Sequence, residues 1–459
     1  MSPTQASFAP FAARMQQANL PQIFIDTFAC YYEQLLQGHT GLIPESEIEP
    51  VAGAPDAEAL PAHLTDAGSR ALSKTAVIKL NGGLGTSMGL TAAKSLLVVK
   101  DGLSFLDIIA RQARAVGAPL LLMNSFATDA ESLAALAGYP LLDAGLPRSF
   151  VQHKAPKVTQ ADFSPVEWPA DPELEWCPPG HGDIYTALVT SGALAALLDR
   201  GYEFAFVANA DNLGAVIDPA LLGYFAENQF PIMMEVADRT EMDKKGGHLA
   251  QRPDGQLILR ESAQCSPEDE DAFQDIQRHK YFNTNNLWIN LHALRTIMAA
   301  RDNNLGLPMI RNAKTVDPRD PDSTPVYQLE TAMGSAIGVF SGAAAVRVPR
   351  TRFAPVKQSD DLLAVRSDVY VLTAQHHVVP NPARDLAPVH VALDPAYYRF
   401  VSQLDGRFPY GPPSLLHCRR FELSGDFKFG RDVVCRGDVF LTNDTDAQIV
   451  IPDGAVLGD

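Results

Sequence analysis

Near the start of the chain, apolar residues fall three and four apart: Phe8, Phe11 and Met15, then Phe24, Phe28, Tyr31, Tyr32 and Leu35. This spacing places each set on one helix face, and Leu20-Pro21 interrupts the run, so two amphipathic helices are predicted. From Ile43 to Thr65 the periodicity gives way to proline, alanine and acidic residues, as in a linker. A mainly apolar run, Ala76-Val77-Ile78-Lys79-Leu80, then predicts a strand leading into glycines. Helical and strand patterns alternate beyond it: helix Leu103–Val116, strand Pro119–Met123, helix Ile184–Leu198, strand Glu203–Ala208. The alternation predicts an α/β domain with a mostly parallel, helix-covered sheet, in which ligands bind at the carboxyl ends of strands. Asn81 and Asn209 fall at such ends.

The last part of the chain reads differently. Gly425-Asp426-Phe427-Lys428-Phe429 is echoed twelve residues later by Gly437-Asp438-Val439-Phe440-Leu441, and Ile449-Val450-Ile451-Pro452-Asp453-Gly454 follows. Short strands with turn residues at such intervals suit the coils of a β-solenoid and, equally, an antiparallel meander.

The 459 residues exceed the roughly 150 of one domain, which predicts two or three domains. A composition of 46% hydrophobic and 20% charged residues is that of a globular, soluble chain. A net charge of −17 without a basic stripe excludes nucleic acid and anionic membranes as partners, while small anions remain open. Cys30, Cys177, Cys265, Cys418 and Cys435 are scattered without a Cys-x-x-Cys pair, so neither zinc nor a disulfide framework is expected and a reducing cytoplasm fits. Met1-Ser2-Pro3-Thr4 has no basic start followed by an apolar run, and no stretch approaches the ~20 apolar residues of a span. Neither export nor membrane insertion is expected.

The first chemical signal is the loop Leu80-Asn81-Gly82-Gly83-Leu84-Gly85-Thr86-Ser87-Met88-Gly89. Its glycines let backbone N–H groups approach an anion with no Cβ between, which is phosphate-binding geometry; a plain tight turn has the same pattern. A Walker loop is excluded, because with Lys94-Ser95 in register its glycine positions fall on Met88 and Ala93. A dinucleotide fingerprint is broken where Met88 follows Gly83-x-Gly85, although Asp101 lies at a tolerable distance. A nicotinamide-dependent oxidoreductase is therefore an outside alternative.

The segment from Lys79 to Asp107, with this loop, Lys94-Ser95 and Asp101-Gly102, resembles the eukaryotic-type UTP–glucose-1-phosphate uridylyltransferases. Further motifs follow in family order: Met123-Asn124-Ser125-Phe126, Pro178-Pro179-Gly180-His181-Gly182-Asp183-Ile184-Tyr185, Asp211-Asn212-Leu213-Gly214-Ala215, Phe282-Asn283-Thr284-Asn285-Asn286-Leu287-Trp288 and Pro355-Val356-Lys357. The resemblance implies a Rossmann-like, GT-A-like nucleotidyltransferase domain with a mixed sheet, a C-terminal left-handed β-helix and an N-terminal helical segment. The expected divisions are 1–70 for helices and linker, 71–375 for the catalytic domain and 376–459 for the β-helix. It also implies conversion of UTP and glucose 1-phosphate to UDP-glucose and pyrophosphate, assisted by Mg²⁺. The attacking sugar-phosphate oxygen is already anionic near pH 7, so the chemistry asks for positioning and charge neutralisation rather than a general base.

By the same resemblance, Lys94 and Lys357 are catalytic lysines facing the phosphates, and Asp211 is both catalytic and the Mg²⁺ ligand. Gln152 and Gly180 would contact the uracil, His181 the phosphates, and Gly247, Glu261, Asn283 and Asn285 the sugar. Leu80, Asn81, Gly82, Gly83 and Asn209 complete the substrate-binding set. Each has an ordinary alternative: surface charges for the lysines, turns for Asp211-Asn212 and Asn283 to Asn286, a surface amide for Gln152, and for His181 a place before a helix capped by Asp183. Trp288 reads as core. Thr91-Ala92-Ala93 stands where the family carries Lys-Gly-Pro. Cys177 replaces a tyrosine and His248 a threonine, which opens the sugar pocket to difference. Galactose or N-acetylglucosamine 1-phosphate, or a non-catalytic sugar-nucleotide binding protein, are thus alternatives. The end at Gly458-Asp459, short of the family's terminal assembly strand, leads to the expectation of a monomer or small homo-oligomer.

Overall fold

Residues 7–458 are described by the structure, a computed structural model. Ten strands make the main sheet: β1 Glu49–Pro50, β2 Thr75–Asn81, β3 Leu120–Asn124, β4 Ser149–Val151, β5 Phe204–Asn209, β6 Ile232–Asp238, β7 His248–Gln251, β8 Leu257–Arg260, β9 Tyr281–Asn290 and β10 Ala344–Arg347. Their main order is β1-β7-β9-β5-β2-β3-β4, with β6 beside β9 and β10, and β8 beside β7. β5, β2, β3 and β4 run parallel, whereas β9 runs antiparallel to β5, β6 and β7. The sheet is therefore mixed rather than mostly parallel.

The central strands are apolar on both faces because both are covered. Ile78, Val207, Leu287 and Ile289 enter one cluster; Val77, Phe206 and Trp288 enter another on the opposite side. The first long helix after the glycine loop starts at Phe105, where Ser104 and Asp107 cap each other's backbone, and ends at Gly117 in the left-handed region. The expected helix Ile184–Leu198 is instead two, Ile184–Thr190 and Ala193–Asp199, since Gly192 at φ 77° turns the chain between them.

Helices Ala9–Gln17 and Gln22–Leu36 bury Phe11, Met15, Phe24, Phe28 and Tyr32 against Ala155, Cys177 and Leu329. At the other end, His390–Leu393, Ser414–Ser424, Val434–Thr442 and Val456–Leu457 form one parallel sheet, and Phe427–Phe429 pairs with Ile449–Ile451 in parallel. Parallel neighbours exclude a meander, whose adjacent strands alternate in direction. The twelve-residue echo does not mark the pairing: Phe427 meets Ile449, while the Gly437 repeat lies beside Ser414–Ser424. Among the described residues no helix is long and apolar enough to cross a membrane.

Lys79 is buried within β2, its Nζ donating to the Ala215 carbonyl at 2.8 Å. Burial lowers its pKa from 10.5 to about 7. Between those values the unfolded chain holds a proton that the folded chain does not, so Lys79 makes stability rise with pH through that window. Lys79→Met is expected to flatten this slope, gaining about 1–3 kcal/mol more over the parent at pH 6 than at pH 9 in urea unfolding. Equal differences at both pH values would show that Lys79 does not titrate there.

Candidate active site

The glycine loop begins where β2 ends. Asn81 turns inward, its Nδ2 donating to Asn124 Oδ1 at 2.7 Å and Ser132 Oγ at 2.8 Å. Its buried side chain fastens the strand end to the next strand. Gly82 lies against Gln152: a Cβ there would sit 2.9 Å from Gln152 Nε2. Gly83 faces open space, and its carbonyl accepts from the Lys94 N–H at 3.0 Å, closing the loop onto the lysine. Gly85, at φ 65°, packs so closely that a Cβ would come within 3.3 Å of Lys94 Cβ. Ala93, the last residue of the Thr91-Ala92-Ala93 departure, donates its N–H to Glu131.

β5 brings the second half. Ala210 N–H donates to the Leu80 carbonyl, tying the ends of β5 and β2, and the side chain of Asn209 is left partly exposed beside them. Two residues on, Asp211 Oδ2 accepts from Lys94 Nζ at 2.8 Å, in a pair only partly exposed to solvent. The Asp211 carbonyl accepts from Val356 N–H, which delivers the exposed Lys357 to the same region. Asp361 takes the N–H groups of Lys357 and Gln358 on one carboxylate oxygen, at 2.8 and 3.0 Å. Burial raises the Asp361 pKa, while those bonds and the charges of Lys357 and Lys94 oppose the shift.

Gln152 is anchored through its N–H to the Asn124 carbonyl, at the carboxyl end of β3. Gly180 needs its φ of 78° and its missing side chain, since a Cβ would lie 2.3 Å from the Thr331 carbonyl oxygen. His181 Nδ1 accepts from Met333 N–H at 2.9 Å, so the ring proton sits on Nε2. Burial lowers the His181 pKa to about 4, which makes it an uncharged donor at neutral pH.

The third group is built by a break in the ladder between β6 and β9. Glu235 pairs with Asn286 and Val236 with Asn283, leaving Thr284 and Asn285 without partners across from them. Asn285 takes the left-handed region, φ 58°, and exchanges bonds with Asn283: its N–H to Asn283 Oδ1, and Asn283 Nδ2 to Asn285 Oδ1, both 2.9 Å. Asn283 N–H donates to the Gly247 carbonyl, and Gly247 leaves room for Glu261, whose carboxylate oxygen lies 2.4 Å from where a Cβ would stand. Burial raises the Glu261 pKa, against the pull of Asn283 and the Lys357 charge. Gly247, Glu261, Asn283 and Asn285 thus converge, with Lys357 near enough to be felt electrostatically.

The two substitutions expected to alter this group do not line it. His248, next to Gly247, is fully buried, stacked on His279 with ring centroids 3.9 Å apart and beside Phe273. Cys177 is packed beneath the N-terminal helices. Neither supports a different sugar pocket.

One network was not foreseen. Glu235, fully buried in β6, accepts from Arg352 Nε and Nη2 at 2.8 and 2.6 Å, Trp288 Nε1 at 3.0 Å and Asn286 Nδ2 at 3.0 Å. Trp288 is therefore core, as read. Asn212 Nδ2 donates to the Arg352 carbonyl at 3.0 Å, and Asn212 Oδ1 accepts from Ala354 N–H at 3.1 Å. The network thereby braces Asn212 and Asn286, the neighbours of Asp211 and Asn285. Its signal in the sequence was a lone glutamate inside Ile232-Met233-Met234-Glu235-Val236, since a charge in a buried strand must be paired.

Residues 25–436 match the sequence pattern of the family described as UTP–glucose-1-phosphate uridylyltransferase. The chain belongs to that family. Among the family's proteins, the UTP–glucose-1-phosphate uridylyltransferase of Solanum tuberosum is 40% identical over 396 residues, 84% of this chain and 81% of that one. The enzyme of that name from Saccharomyces cerevisiae is 40% identical over 393 residues, 84% of this chain and 77% of that one. A mutant UDP-glucose pyrophosphorylase from Leishmania major, solved in complex with UDP-glucose, superposes with a TM-score of 0.90 at 42% identity, covering 99% of this chain and 98% of the other.

Proposed function

We propose that the protein transfers a uridylyl group from UTP to glucose 1-phosphate, releasing UDP-glucose and pyrophosphate. The observation that carries this reading is the meeting of Lys94, at the foot of the glycine loop, with Asp211, beyond the adjacent strand, in a member of this family. Leu80, Gly82, Gly83 and Gln152 would hold the uridine end with Gly180. Uncharged His181 would donate to phosphate oxygens, and Glu261, Asn283 and Asn285 would bind sugar hydroxyls beside Gly247. Lys94 and Lys357 would neutralise the charge that spreads over the α-phosphate as the sugar-phosphate oxygen attacks in line. A Rossmann-like, GT-A-like catalytic body with a left-handed C-terminal β-helix goes with this reading, supported by the parallel pairing of the terminal strands.

Among the described residues no three His, Cys, Asp or Glu side chains converge to hold a metal. Asp211 offers a single carboxylate, which suits Mg²⁺, an ion commonly held by one or two carboxylates together with substrate phosphates. Asp211 would hold it, and the ion would supply positive charge to the triphosphate when bound. The test is pyrophosphate release from UTP and Mg²⁺ across a panel of sugar 1-phosphates. Release with glucose 1-phosphate well above galactose and N-acetylglucosamine 1-phosphates is expected; release with another sugar would reassign the acceptor, and release with none would leave a binding protein.

A further inference from the structure

We infer that His153 and Asp183 are a positioning pair that sets the base selectivity of the nucleotide site by fixing Gln152 to the Gly180–His181 turn. The inference rests on the reading of Gln152 as the uracil contact. His153 directly follows Gln152 and is buried. Its backbone N–H donates to Asp183 Oδ2 at 2.8 Å, and its ring Nδ1 meets the same carboxylate at 2.8 and 3.0 Å. Nε2 meets Thr190 Oγ1 at 3.0 Å, and Phe24 of the helix Gln22–Leu36 stacks on the ring, centroids 4.3 Å apart and planes 12° apart. Both ring nitrogens and one ring face are therefore engaged.

Asp183 is buried as well, two residues after His181, and its N–H donates to the Gly180 carbonyl at 3.2 Å. It stands where a helix cap was expected, yet its side chain makes no cap bond. The carboxylate joins instead two segments that are also linked by the short ladder of Ala155–Pro156 with Trp176–Cys177 and by the Thr190 contact. Uracil and cytosine present reversed donor and acceptor patterns at one edge. A carboxamide free to turn satisfies either, whereas one held in place reads one of them. Gly82 restricts the Gln152 side chain on one side, and the His153–Asp183 pair fixes its backbone on the other.

The experiment uses the full chain with saturating glucose 1-phosphate and compares kcat/KM for UTP and CTP. His153→Leu and Asp183→Asn are each expected to lower the UTP:CTP ratio about tenfold, mainly through KM for UTP, with kcat at saturating UTP within about threefold of the parent. The ratio is read on one sample, so the fraction folded cancels. A ratio within twofold of the parent in both variants would overturn the inference. The same ratio measured as Kd by calorimetry is independent of turnover. A parent chain that prefers UTP in binding but releases no pyrophosphate would overturn the transfer reading alone.

Discussion

Lys94→Ala is expected to lower kcat by ~10²-fold or more, measured as pyrophosphate release at saturating UTP and glucose 1-phosphate. The Lys94 main chain is fixed where the glycine loop closes, by the bond from its backbone N–H to Gly83 and the tight packing of Gly85, and the ammonium is held by Asp211. A charge so held needs little reorganisation when negative charge grows on the phosphates, and that preorganisation is the source of the rate. Removing it also leaves the Asp211 carboxylate without the partner now 2.8 Å away, so an anion would face the phosphates unopposed. Lys94→Arg keeps the charge but replaces a compact head with a broad fork, and an intermediate loss is expected. An unchanged kcat in Lys94→Ala would make the lysine a partner of Asp211 and nothing more.

Glu235→Ala is expected to be the most damaging change to stability, at about 3–5 kcal/mol, because it strands the Arg352 guanidinium inside the protein. Four hydrogen bonds converge on that carboxylate. The loss should appear as a lowered denaturation midpoint and as reduced recovery of soluble protein. Replacing both charges, Glu235→Ala with Arg352→Met, should restore much of the stability, since no unpaired charge then remains. Activity should not return with it, because Asn286, beside Asn285, would still lack the carboxylate to which its Nδ2 donates. A single variant within about 1 kcal/mol of the parent would show that water reaches Arg352 and that the network is not sealed.

How much of this was legible beforehand varied with the range of the interaction. The loop and the strands on either side were readable because glycine spacing and apolar runs are local. The turn in the Asn-Thr-Asn-Asn run was legible from its composition, and the break in the ladder is what sets the positions of Asn283 and Asn285. The inward turn of the Asn81 side chain was not legible, because a strand end points to a place, whereas the side-chain direction depends on Asn124 and Ser132, far along the chain. The burial of His248 against His279 was not legible for the same reason, His279 being invisible from its own strand. The terminal repeats gave strands but not partners, since pairing direction is set by how the connections cross and not by the strands themselves.

The unpaired Thr284 and Asn285 carry a consequence for how this chain could change through evolution. In a strand, losing one residue exchanges inside for outside for everything beyond it. A one-residue deletion here would send Trp288 toward the face now filled by Leu287 and Ile289, and the core would not close. A two-residue deletion would leave a regular ladder and a sound core, but would erase the turn that presents Asn283 and Asn285. Length at this point is therefore tied to the core by odd changes and to the pocket by even ones, so relatives that keep the pocket are expected to keep the length.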